Sequence, residues 1–191
     1  MAYNPNIHHR RSIRLKGYDY GQAGAYFITL CTHDCTHLFG EIADGTMRLN
    51  EFGQIAYTEW LRTPELRPHV ALDVFVIMPI HMHGIILINN TSKGESHSPN
   101  NTEPTQVPSA EMGECDSPQR SFLRSPSNNI GAIVRGYKSA VTKQINVLHS
   151  GTMVWQRNYY EYIIRHEQAY QNISEYITNN PLKWEADKFY S

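Results

Sequence analysis

The sequence predicts a mixed α/β (α+β) fold, and three stretches carry the prediction. Residues 78–88, MPIHMHGIILI, form a β-rich apolar run with two histidines near its start. In residues 130–148, Ile130, Ile133, Val134, Tyr137, Val141, Ile145 and Leu148 fall on one helical stripe. Near the C-terminus, Ala169, Ile173 and Ile177 recur four residues apart before Pro181, the pattern of a helix with one inward edge. A chain of 191 residues with 40% hydrophobic and 18% charged side chains suits one domain with elaborations and a real core.

Taken in order, residues 1–12 are Asn, Pro, His and Arg without periodicity and read as a flexible basic arm. Residues 26–32, rich in β-branched and aromatic side chains, read as the first core strand. Cys31, His33, Cys35 and His37 then alternate, an invitation to a zinc site that geometry opposes. On one extended strand the four would span roughly 20 Å, too far to meet around one ion. Residues 38–42 and 47–50 flank Asp44-Gly45, a strong hairpin signal. A helix follows over 51–61, with Asn50 as its N-cap, and Pro64 and Pro68 end it. Residues 72–78 form a strand that Pro79-Ile80 turns into the histidine-bearing one.

Residues 89–128 differ in kind. Rich in Ser, Asn, Pro, Thr, Gly and Glu, they read as a low-complexity insertion outside the core. The domain is therefore expected over 13–88 and 129–187. After the 130–149 helix, residues 153–156 are expected as a short last strand. A helix should then begin near Glu167 and run to Asn180.

The charge balance neither demands nor excludes a nucleic-acid partner. The net charge is −1, but the insertion is acid-rich, and local basic clusters lie at 10–16 and 135–143. No apolar run reaches membrane-spanning length, and residues 1–16 lack the apolar segment of a secretory signal, so a cytoplasmic protein with no membrane partner is expected. Three scattered cysteines oppose a disulfide framework and suit a reducing compartment.

The chemistry concentrates at two places. On a strand, His81 and His83 project to the same face, half of a divalent-metal site. The same pair also reads as inert, hydrogen-bonded histidines at a strand end. On the last helix, Tyr176 and Asn180 at i and i+4 set a phenol and an amide at one spot, or serve as a boundary tyrosine and a capping amide. The polar face holding Arg135 and Lys138, with Lys143 at its edge, suits either solvent or a phosphate backbone.

Five segments taken together narrow these choices. They are His81-Met82-His83, Trp155-Gln-Arg-Asn-Tyr-Tyr160, Tyr176-Ile-Thr-Asn-Asn-Pro181, Arg14-Leu-Lys-Gly-Tyr-Asp-Tyr20 and Ala25-Tyr-Phe-Ile-Thr29. Jointly they resemble the single-tyrosine HUH transposases, in particular the REP-associated tyrosine transposases, over most of residues 10–187. The pattern departs at Tyr162, where many relatives have histidine, and at Ile80, where Asn or Glu often stands.

The resemblance implies a ferredoxin-like antiparallel sheet with helices packed on one face and a C-terminal tyrosine-bearing helix. It implies cleavage of single-stranded or hairpin DNA through a covalent 5′-phosphotyrosine, leaving a free 3′-hydroxyl. Mapped by motif, Tyr176 is the nucleophile, and His81, His83 and Asn180 are ligands to Mg²⁺ or Mn²⁺. The candidate DNA-contacting cations are Arg10, Arg11, Arg14, Lys16, Arg135, Lys138, Lys143 and Arg157. Two other functions remain open at this point: a catalytically silent single-stranded nucleic-acid binder, and a metal-dependent hydrolase in which Tyr176 is incidental. Monomer and homodimer are equally compatible with the sequence.

Overall fold

A four-stranded antiparallel sheet organises the computed structural model, which describes residues 18–89 and 129–186. Its strands are β1 (Gly24–Cys31), β4 (Val70–Ile77), β5 (His81–Ile88) and β6 (Tyr160–Ile164), in the spatial order β4-β5-β1-β6. With α1 (Glu51–Leu61) between β1 and β4, and α3 (Ile130–Leu148) between β5 and β6, the core reads β-α-β-β-α-β. That is the ferredoxin-like arrangement expected above. A separate hairpin, β2 (Gly40–Ala43) and β3 (Thr46–Leu49), and a one-turn α2 (Thr63–Leu66) are additions to it.

Local chemistry explains most boundaries. Asp44 and Gly45 both take positive φ, 52° and 69°, the turn that matches strand twist and joins β2 to β3. The Asn50 side chain accepts the Gly53 N–H at 2.9 Å and starts α1, and Asn129 does the same for Ala132 and α3. Pro64 does not simply stop α1; it lies in the first turn of α2, where its missing N–H costs nothing.

The sheet has two unlike faces. Tyr26, Ile28 and Leu30 of β1 and Met82, Ile86 and Ile88 of β5 pack under α1 and α3, with Trp60, Tyr137 and Val141 at the centre. Gly84 makes this contact possible, because a Cβ there would sit 2.9 Å from the Trp60 ring. Phe27, Ile85 and Leu87 point to the opposite face, beneath α4 (Glu167–Thr178), which lays Tyr170, Ile173 and Ile177 on them. The two core helices thus share one face, and the tyrosine-bearing helix takes the other.

The last strand lies elsewhere than expected. Residues 153–156 form only an isolated bridge, Thr32 with Trp155, and the pairing strand is β6. Val154 and Gln156 hold the end of β1 through His33 N–H to Val154 O (3.0 Å) and Gln156 N–H to Cys31 O (3.0 Å). The chain needs residues 157–159 to cross before it can pair in register with β1. The basic arm and nearly all of the insertion, residues 90–128, lie outside the described residues. No described helix is long and apolar enough to cross a membrane.

Candidate active site

His81 and His83 open β5, between β1 and β4. His81 is opposite Cys31, and His83 is opposite Thr29 on one side and Val76 on the other. Strand alternation sends both rings to the α4 face, where their centroids lie 4.4 Å apart. Both are sealed from solvent, at 0% and 1% exposure. A buried imidazole is held in one orientation only by its partners, and those of His83 are explicit. Thr29 Oγ1 lies 2.9 Å from Nδ1, and the Tyr176 hydroxyl lies 3.1 Å from Nε2.

Tyr176 reaches this point from the last full turn of α4. Its ring packs edge-on to Phe27 and 5.1 Å from the His83 ring, yet it remains 37% exposed. A part-exposed tyrosine beside a sealed histidine pair can be reached by a large substrate, and its hydroxyl is held by His83.

Asn180 does not share a helical edge with Tyr176 as expected. The helix closes at Thr178, with Asn179 as C-cap, and Pro181 starts a 3₁₀ turn (Pro181–Ala186). A residue preceding proline is pushed out of the helical region, which shortens α4 by two residues relative to the expectation. Asn180 is nevertheless buried, at 2% exposure. Along the chain it lies four residues after Tyr176, whose ring meets His83. It lies four residues before Trp184, whose ring meets His81 at 6.0 Å. Among the described residues no three His, Cys, Asp or Glu side chains cluster. Two adjacent imidazoles are donors that suit a divalent ion of borderline hardness.

The alternating Cys31, His33, Cys35 and His37 disperse at the strand end. A 3₁₀ turn (His33–Cys35) breaks the alternation, Cys35 receives Gln156 Nε2 at 3.5 Å, and His37 faces Trp184.

The cations divide into two kinds. Lys138 is half-buried and donates to Gln156 O at 2.8 Å and Asn158 O at 3.0 Å, with its ammonium 5.9 Å from the Trp155 and Tyr159 ring centroids. Burial pushes its pKa down to about 8. Lys138 therefore clamps the 155–159 segment onto α3, and it also lines the groove that Lys143 and Arg157 border. Arg135, Lys143 and Arg157 are exposed. Lys143 and Arg157 border a groove of about 630 Å³ between α3 and residues 152–157, with Thr142, Thr152 and Met153 along it and no acidic side chain in its lining. Arg10, Arg11, Arg14 and Lys16 lie outside the described residues.

Comparison with known proteins agrees with the architecture. The chain matches the REP-associated tyrosine transposase solved bound to a REP hairpin, with a TM-score of 0.56 and 18% identity, over 93% of this chain and 77% of that one. The fold is thus that of the REP-associated tyrosine transposases. The chain belongs to one family with an uncharacterized protein of Haemophilus influenzae, to which it is 44% identical over 188 residues, 98% of this chain and 97% of that protein. No family model matches it.

Proposed function

We propose that this protein is a tyrosine transposase-type enzyme that cuts single-stranded DNA beside a hairpin and holds the 5′ end on Tyr176. The observation that carries the reading is the Tyr176 hydroxyl 3.1 Å from His83 Nε2, on a part-exposed side chain beside a sealed histidine pair. A tyrosine placed only for packing has no reason to aim its oxygen at one of two clustered imidazoles.

The Tyr176 oxygen attacks the scissile phosphorus, the phosphorus–O3′ bond breaks, and the phenolic proton leaves as the 3′-oxygen gains one. One phosphodiester replaces another, so the step is reversible without a nucleotide cofactor. A free phenol keeps its proton until about pH 10 and is a weak nucleophile at neutral pH, so it needs orientation and an activated phosphate. In the metal-free site the His83 contact holds the phenol at the histidine pair, where the phosphate would arrive. His81, His83 and Asn180 are the residues that would hold Mg²⁺ or Mn²⁺, which when bound would polarise the phosphate and offset its charge. Imidazole donors favour Mn²⁺ over the harder Mg²⁺.

The groove between Lys143 and Arg157 offers cations and hydroxyls without opposing carboxylates, a surface suited to a phosphate backbone. Arg135, Arg10, Arg11, Arg14 and Lys16 are further candidate cations for DNA. The solved relative of this fold is bound to a REP hairpin, which favours a hairpin as the partner here as well.

The test is incubation with hairpin-bearing single-stranded DNA and Mn²⁺, followed by denaturing gels. The expected result is a protein–DNA adduct in the wild type and none in Tyr176→Phe, which still shifts the DNA on native gels. Cleavage without an adduct would mean a water-activating hydrolase, and a shifted but uncut strand would mean a silent binder.

A further inference from the structure

We infer that Thr29 is a positioning residue that fixes which nitrogen of His83 faces the site. This rests on reading His83 as a metal ligand for its affinity consequence, but not for its geometry. Thr29 lies on β1 directly opposite His83, is itself buried, and sets its Oγ1 2.9 Å from His83 Nδ1. The two residues are 54 positions apart in sequence and meet only because β1 and β5 are neighbours.

Neutral imidazole has one N–H and one lone pair, so the partner of one nitrogen decides the role of the other. At Nε2 the partner is the Tyr176 hydroxyl, and a phenol O–H is a better donor than a neutral imidazole N–H. Tyr176 therefore donates to Nε2, and the proton of His83 sits on Nδ1, where Thr29 Oγ1 accepts it. Thr29 thus keeps the Nε2 lone pair turned toward Tyr176 and the metal-binding face. That lone pair serves one partner at a time, so a bound ion would displace the Tyr176 hydroxyl from it and leave the phenol free to meet the phosphate.

The Thr29 contact gives the Ala25-Tyr-Phe-Ile-Thr29 segment a role beyond strand formation. Ala25 and Phe27 share the face with Thr29, but only the threonine carries a hydroxyl to that ring.

The experiment uses the full-length protein labelled with ¹⁵N-histidine, with His83→Gln to assign the signal, and Mn²⁺ titrations on the same samples. Metal-free wild type should show His83 protonated at Nδ1. Thr29→Val, close to threonine in shape, should scramble that tautomer and weaken Mn²⁺ binding by about 10- to 100-fold, the usual consequence of losing a ligand's outer partner. Thr29→Ser should restore both. A wild-type His83 protonated at Nε2 overturns the inference, as does Thr29→Val with an unchanged tautomer. If the wild type binds no Mn²⁺ but the tautomer still depends on Thr29, the positioning role stands and the metal assignment fails. Should Thr29→Val not fold, the wild-type tautomer and Thr29→Ser decide the matter.

Discussion

The two faces of the sheet are built from alternate residues of the same strands, yet they do opposite things. Under α1 and α3, Tyr26, Ile28, Leu30, Met82 and Ile86 meet Trp60, Tyr137 and Val141 in a sealed apolar core. Across the backbone, Phe27, His83 and Ile85 meet α4 and its part-exposed tyrosine, while His81 meets Trp184 in the turn that follows. Stability is concentrated on the first face and polar chemistry on the second. The division lets the second face hold buried histidines and a part-exposed tyrosine, because the first holds the strands in register beneath them.

The largest expected effect breaks the first face. Trp60→Ala should cost about 3–5 kcal/mol in urea unfolding, because it empties the space that Gly84 keeps open. Tyr176→Phe on the second face removes one hydrogen bond and leaves the ring packed on Phe27, so its cost should be about 1 kcal/mol or less. Similar losses from the two variants would show that the faces do not divide the work.

A smaller effect tests the clamp that holds residues 155–159 to α3. Lys138 has a folded pKa of about 8 against an ordinary 10.5. Between those values the unfolded chain binds more protons, so this group's contribution to stability rises with pH across that window and is flat below it. The stability difference between wild type and Lys138→Met should therefore move in favour of wild type from pH 8 to pH 10. A difference independent of pH would mean that Lys138 is not held as described.

The smallest effect concerns the groove. Lys143 is exposed, so Lys143→Ala should leave the melting temperature nearly unchanged while lowering the slope of log affinity against log salt by about 1 for hairpin DNA. An unchanged slope would remove Lys143 from the DNA path.

The elements with strong periodicity were legible from sequence alone. The stripe of α3, the Asn50 cap of α1, the Asp44-Gly45 turn and the shared face of His81 and His83 depend on nearby residues, and each lies where its spacing puts it. What was not legible depends on distant partners. β6 hides in an aromatic motif because Tyr160 and Tyr162 remain exposed at a sheet edge, so no alternation of apolar and polar residues marks it. Lys138 looks like any surface cation until Gln156 and Asn158 bring their carbonyls to it. Thr29 is one more β-branched strand residue until β5 arrives beside it. Pro181 is expected to end α4 just after Asn180, but the restriction falls on Asn180 itself and the helix closes at Thr178.

The central claim is that Tyr176 forms the covalent bond, and peptide mapping by mass spectrometry tests it most directly. The adduct formed with hairpin-bearing single-stranded DNA and Mn²⁺ is digested with protease and nuclease, and the nucleotide mass is located on a peptide. Tyr159, Tyr160, Tyr162 and Tyr170 are close in sequence, and Tyr160 and Tyr162 are exposed, so they are genuine rivals. The account predicts the added mass on Tyr176 alone. The mass on any of the other four tyrosines, with Tyr176 unmodified, would contradict it.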